Sequence, residues 1–202
     1  MKYTFILITL FLFGVTGKKP PVVKDKGHYR VAYSADYKQP VWVEYNVMCT
    51  EGKYSRKGLD FYPEPGITTS GDIDYSGNDW DKGHLAPAAD FACDSLALIS
   101  TFSYLNCSLQ HWSLNRGVWK HLETRERELA KRGPVKVRVE LEFGDVDTRT
   151  KGGARIPTVF VKILQYAGVK EEYRFPNRAP NATDPEFYLV RRTKNADLLE
   201  LH

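Results

Sequence analysis

The sequence predicts a single α+β domain with a mainly antiparallel sheet and flanking helices. Three observations carry this. Val135, Val137, Val139, Leu141 and Phe143 alternate with Lys136, Arg138, Glu140 and Glu142, the period of a strand with one wet face. Ser113 to Arg132 instead gathers Leu114, Val118, Leu122 and Leu129 on one side, the period of an amphipathic helix. Strands and helices follow one another without a regular βαβ alternation, which argues against a parallel α/β fold.

Taken in order, residues 1–17 read as a signal peptide: Lys2 is a short positive start, Tyr3 to Val15 is almost wholly apolar, and Val15-Thr16-Gly17 offers small residues for cleavage. The run is short for a membrane span of roughly 20 residues, and no cysteine follows it to carry a lipid. An exported (secreted or periplasmic) protein with no stable membrane association after cleavage is expected. Residues 18–27 read as a flexible leader and residues 28–202 as the domain. Val41 to Val47 mixes β-branched and aromatic residues and reads as a strand. Glu51 to Asp79, rich in Gly, Pro, Ser, Thr and Asp, reads as a long loop, and long loops in compact domains are often functional. The helix from Ser113 has that serine as its cap and Gly133-Pro134 as its stop. Asp145 to Ala154 is turn-rich, Ile156 to Tyr166 is a further strand, and Gly168 turns the chain into Glu171 to Phe175. Glu186 to Leu201 reads as a short strand or turn followed by a weak helix.

With 42% hydrophobic and 27% charged residues, the composition of the 202-residue chain excludes overall disorder. The formal net charge of +4, which loss of Lys2 lowers by one, is a mild positive balance compatible with a polyanionic partner. Basic clusters lie at Lys18-Lys19, Lys53 with Arg56-Lys57, Lys131-Arg132, and Arg191-Arg192 with Lys194. Each by itself is equally a solvated surface. Cys49, Cys93 and Cys107 do not have zinc-ligand spacing, and they allow one disulfide with one free thiol or none. Asn181-Ala182-Thr183 could accept a glycan in a host that makes N-glycans.

The chemistry concentrates in Asp81-Lys82-Gly83-His84-Leu85-Ala86-Pro87-Ala88-Ala89-Asp90 and in Asn115-Arg116-Gly117-Val118-Trp119 with Glu123. A neutral imidazole can take a proton from water near neutral pH. An asparagine oxygen can bind a hard cation that keeps most of its waters. Glu123 follows Asn115 by eight residues, two turns along the same helix. Base, oxygen ligand and carboxylate together suit metal-assisted phosphodiester hydrolysis.

These residues resemble the motif of the DNA/RNA non-specific endonucleases of the ββα-metal (His-Me finger) class. The usual form is Asp-Arg-Gly-His, and here Lys82 holds the second place, keeping the charge but losing the planar fork of donors. Further matches are Pro40-Val41-Trp42-Val43, Asp74-Tyr75-Ser76-Gly77, Ile156 to Lys162 and Phe175-Pro176-Asn177, so the likeness runs from about Tyr29 to Leu199. Asn106 and Gln110 match an Asn-x-x-Pro-Gln element, with Leu109 where proline is usual.

The resemblance implies a ββα-metal motif with His84 as general base and Asn115 as the one direct ligand of Mg2+, for which Mn2+ could substitute. It implies Glu123 as an outer-shell carboxylate and Asn106 as a secondary residue that positions the histidine's surroundings. Asp81 would anchor the strand end or orient the site, Lys82 would face phosphate, and Arg56 would steady the transition-state phosphate. DNA and RNA are the implied partners, cut to leave 5′-phosphoryl and 3′-hydroxyl ends. Two other classes stay open: a catalytically weak or inactive nucleic-acid-binding relative, and an interaction protein using the fold as scaffold. The sequence does not speak to oligomeric state.

Overall fold

The structure, a computed structural model, describes residues 19–194. The expected signal peptide and the weak helix expected at the end of the tail lie outside the described residues.

Seven strands form one antiparallel sheet. They are β1 (Val22–Asp25), β2 (Tyr29–Ser34), β3 (Gln39–Asn46), β6 (Val135–Glu142), β7 (Val159–Tyr166), β8 (Val169–Pro176) and β9 (Leu189–Lys194), in spatial order β1-β2-β3-β6-β7-β8-β9. A separate two-stranded ribbon pairs β4 (Trp80–His84) with β5 (Cys107–His111). The helices are α1 (Asp72–Tyr75), α2 (Ser95–Ser100), the single turn α3 (Trp112–Leu114) and α4 (Lys120–Ala130). Mainly antiparallel sheet with flanking helices is the architecture expected.

The period-two reading of β6 holds: Val135, Val137, Val139 and Leu141 are buried, while Lys136 points to solvent. They share a core with Val31, Val43 and Tyr45 of the neighbouring strands, Phe160, Leu164, Tyr173 and Phe175 of β7 and β8, and Leu114, Val118, Trp119 and Leu122 of the helical segment. Trp119 is fully buried, edge-on to Phe160 and Phe175 at 5.5 Å each. Each such side chain contributes about 1.5–3 kcal/mol by leaving water. The β7–β8 hairpin closes through Ala167 (φ 44°) and Gly168 (φ 70°), the paired left-handed residues that match strand twist in a two-residue turn.

Several boundaries differ from expectation. Val22–Asp25 is no flexible leader: it pairs with β2 as an edge strand. β7 begins at Val159, because Ile156 donates its backbone N–H to Thr148 instead. Within the tail, Leu189–Lys194 is the short strand expected there. The expected regular helix from Ser113 is α3 and α4 joined through Asn115–Trp119, which kinks at Gly117 (φ −102°, ψ −118°). Its cap is His111, whose Nδ1 accepts from the Ser113 backbone N–H, and not Ser113.

Below the sheet, Lys162 is fully buried, 2.6 Å from the equally buried Glu126 and 4.4 Å from the Trp119 ring centre. Tyr45 donates to the other Glu126 oxygen at 2.7 Å. Such a pair adds little over a hydrophobic replacement, but removing one partner costs about 3–5 kcal/mol.

Cys49 and Cys93 form a disulfide, and Cys107 is free and buried. The bridge fixes the root of the Glu51–Asp79 loop, whose Lys53 and Tyr54 N–H groups both donate to the Ala92 carbonyl. It closes a loop with a sequence separation of 44. Chain entropy sets an upper bound of about 4 kcal/mol for its contribution. Cys93→Ser is therefore expected to destabilise the protein by roughly 2–4 kcal/mol. Urea melts of oxidised protein check this, and a midpoint equal to wild type would contradict it.

Candidate active site

β4 carries the histidine motif to its strand end, and β5 sets its position. Gly83 is needed there: a Cβ would lie 2.6 Å from Gln110 Oε1 and 2.7 Å from Gln110 Cβ on β5. Beyond His84, the Leu85 N–H donates to the Asn106 carbonyl at 3.0 Å. The Asn106 side chain accepts from Ala86 N–H at 2.8 Å and donates to the Ala86 and Thr101 carbonyls at 2.9 Å each. Asn106 is fully buried and does not line the cavity described below. It is a positioning residue that clamps the backbone after His84 and does not meet the reacting atoms.

The imidazole of His84 is gripped by two aromatic rings, Phe61 at 4.6 Å and Phe102 edge-on at 4.8 Å. Its Nε2 is buried and has no hydrogen-bond partner among the described residues. Nδ1 is thus the nitrogen left to meet solvent. Burial, with the Arg56 charge acting in the same direction, pushes the ring's pKa down to about 3. The group is a neutral proton acceptor throughout the neutral range.

His84 faces a cavity of about 930 Å3 that is also lined by Arg56, Asp81, Lys82, Asn115, Arg116, Lys120, Glu123 and Arg127. The expected residues other than Asn106 thus converge on one space. Eight regular helical steps would leave Asn115 and Glu123 about 80° apart, but the chain kinks between them at Gly117, and both line the cavity.

Asn115 donates its amide N–H to Asp81 Oδ2 at 2.9 Å. That commitment leaves the amide oxygen as its free polar atom. Asp81 also accepts from Arg116 Nε at 2.8 Å and Nη2 at 2.6 Å. Burial raises the Asp81 carboxyl, but Arg116 and Asn115 outweigh it, and the group stays below the usual carboxylate range. Asp81 is the residue that orients Asn115.

Lys82 departs from expectation. Its ammonium is held 2.6 Å from Asp72 and 2.9 Å from Asp60, while Tyr104 donates to Asp72 at 2.6 Å. Partial burial lowers its pKa, but the two carboxylates win and hold it above the ordinary lysine value. Asp60, which lines the cavity, and Asp72, which does not, thus pair the ammonium that the resemblance turns toward phosphate. Arg56, by contrast, has no carboxylate partner among the described residues, which leaves its guanidinium for an incoming anion.

Burial pushes Glu123 up to about 7, with Lys162 and Arg127 opposing and Glu126 adding to the rise. The sign follows from linkage. A carboxyl raised in the folded state supports stability below its unfolded value near 4.5, and that support is lost as pH rises through about 7. Glu123→Gln is expected to raise the melting temperature at about pH 8 and to change it little at about pH 5. Scanning calorimetry at the two pH values checks this, and an equal shift at both would contradict it.

Arg127 was not singled out by the sequence reading. It donates to the buried Asp90 at 2.7 Å and lines the cavity. Its signal was available, because a residue four positions after Glu123 shares that helix face. Phe61 and Phe102 left none, since they reach His84 from separate loops.

Among the described residues no three His, Cys, Asp or Glu side chains cluster as a metal cage. A neutral amide oxygen with one nearby carboxylate suits a cation that retains most of its water, as Mg2+ does.

Comparisons with known proteins bear on fold and family. A crystal structure of an EndoG/EndoGI complex matches with a TM-score of 0.73 at 22% identity, over 87% of this chain and 82% of that one, which shows a shared fold. The mitochondrial nuclease EXOG of Xenopus laevis is 33% identical over 110 residues, 52% of this chain and 31% of its own length. The mitochondrial endonuclease G of Bos taurus is 27% identical over 191 residues, 83% of this chain and 64% of its own. Nuclease C1 of Cunninghamella echinulata var. echinulata is 29% identical over 138 residues, 60% of this chain and 55% of its own. The chain thus spans from about a third to just under two thirds of the length of these relatives. Residues 8–192 match the DNA/RNA non-specific endonuclease family, and with nearly the whole chain covered and the motif residues gathered in one cavity, the protein is a member of that family.

Proposed function

We propose that this protein is a metal-dependent endonuclease that hydrolyses phosphodiester bonds of both DNA and RNA. The observation that carries the reading is the shared cavity, in which a neutral imidazole and an amide oxygen freed by Asp81 face the same space. His84 takes a proton from the attacking water. Asn115, with Glu123 nearby, would hold Mg2+, and Mn2+ could replace it. When bound, the cation would neutralise charge on the phosphate. Arg56 and Lys120, which have no carboxylate partner among the described residues, bring positive charge to the backbone of the nucleic acid. Contacts of that kind read little sequence and weaken with salt.

Export is part of the reading. The apolar N-terminal run supports it, and so does the Cys49–Cys93 disulfide, which suits an oxidising compartment. Among the described residues no helix is long and apolar enough to cross a membrane.

One observation favours a second reading, a catalytically weak relative that binds nucleic acid: Lys82 is tied to Asp60 and Asp72. Incubation of purified protein with single- and double-stranded DNA and RNA, with Mg2+ and with chelator, separates the two. Cleavage of all four that the chelator abolishes is the expected result. Salt-sensitive binding without cleavage would establish the weak relative, and neither binding nor cleavage would end both readings.

A further inference from the structure

Beside the cavity stands an aromatic surface that the hydrolytic site does not use. Trp112 is 47% exposed at the start of α3. The His111 ring stacks beside it at 5.8 Å and 26°, and Trp80 meets His111 edge-on at 6.0 Å. The Arg116 guanidinium lies 5.9 Å from the Trp112 ring centre, with its donors committed to Asp81. Arg116 lines the cavity, and Asp81 is the residue that orients Asn115. Trp112 is therefore separated from the candidate metal ligand by two side chains. At the far end, Trp80 and Arg178 line a second cavity of about 410 Å3. The row thus runs from Arg116, which lines the first cavity, to Trp80, which lines the second.

We propose that Trp112, flanked by Arg116 and backed by His111 and Trp80, is a stacking platform for an unpaired nucleobase of the strand being cut. The proposal rests on the endonuclease reading and adds to it a preference in substrate form. Exposed tryptophan is costly to leave in water, and a planar base covers it without demanding a particular sequence. The bases of an intact duplex are stacked on one another and cannot offer their faces, so the platform acts only on single strands, loops or extruded bases. Lys120, which lines the same cavity as Arg116 and has no carboxylate partner among the described residues, supplies positive charge that a phosphodiester chain needs. Continuity with the phosphate cavity and this charge favour nucleic acid over an apolar protein surface.

The test measures affinity in chelator, where no cleavage occurs, by fluorescence anisotropy of a labelled short oligothymidylate and of a labelled duplex. Trp112→Ala is expected to weaken the single strand about tenfold and leave the duplex unchanged, since one base–aromatic stack is worth about that factor or more. Trp112→Phe is expected to restore most of the loss. In the wild type, one abasic position in the single strand should cause the same loss, and in Trp112→Ala it should add nothing further. Equal single-strand affinity for wild type and Trp112→Ala would overturn the proposal, as would equal losses on single strand and duplex. A change in sedimentation of the protein alone, without loss of affinity, would place a second copy of the chain on this face and also overturn it. If cleavage with Mg2+ persists while Trp112→Ala has no effect on binding, only the platform fails. If neither nucleic acid is bound or cut, the endonuclease reading fails with it.

Discussion

His84→Ala is expected to lower phosphodiester hydrolysis by about a thousandfold, within the range that positioned general bases supply. Nucleic-acid affinity should be retained, because the cations that face phosphate remain in place. The reasoning is geometric before it is electrostatic. Phe61 and Phe102 hold the ring, and β5, Asn106 and the close approach at Gly83 hold the strand end that carries it. Alanine leaves a hole between two aromatic rings. His84→Gln is therefore the companion variant: it keeps bulk and polarity but cannot act as a base. Both should be equally slow. A fast glutamine variant would show that proton transfer is not the role of this position.

The low pKa of His84 gives a second signature. With the folded value pushed down to about 3, the ring is already neutral at mildly acidic pH. The wild-type rate should show no limb at the ordinary histidine value of about 6.5. Linkage fixes the sign of the stability effect. Protonation favours the unfolded chain, so the histidine's support is complete above about 6.5 and is lost as pH falls toward the folded value. In His84→Gln, the melting temperature should lose that part of its decline on acidification.

The second large effect is expected at Asn115. Asn115→Ala should lower the Mg2+-supported rate by about a hundredfold or more and raise the Mg2+ concentration needed for half-maximal activity. Asn115→Asp is expected to fail as a substitute, although carboxylates bind cations well. Its carboxylate would lie where the amide N–H now meets Asp81 at 2.9 Å, replacing a hydrogen bond by like-charge repulsion. Magnesium titrations of initial rate check both variants. An alanine variant with unchanged magnesium dependence would remove Asn115 from the cation site.

The fold was legible where one period dominates. β6 follows strict alternation, and the helix carrying Leu122 shows its apolar face. Residues 22–25 were not legible, because the edge strand takes its stability from pairing with β2 and leaves Val22 and Val23 exposed. The break at Gly117 was hidden because the apolar spacing on either side of it fits one continuous helix. In the site, His84, Asn115 and Glu123 could be read from type and spacing, and the structure brings them to one cavity. The pairing of Lys82 was not legible, because Asp60 comes from an irregular loop and Asp72 from the start of α1, at no spacing that periodicity reports. Asn106 could be read as a secondary residue near the histidine, but its clamp on the Ala86 backbone is visible only once its partners are known. The Cys49–Cys93 pairing was likewise beyond spacing alone, with three cysteines and no local constraint among them.

The central claim is that imidazole and cation act on the same scissile bond. The most direct measurement is the single-turnover cleavage rate of wild type, His84→Gln, Asn115→Ala and the double variant, each in Mg2+ and in chelator. The account predicts that the double variant is no slower than the slower single variant within about a few-fold, as for groups that act as one unit, and that chelator erases the differences among all four. Losses that multiply in the double variant, or a wild-type rate that survives the chelator, would contradict it.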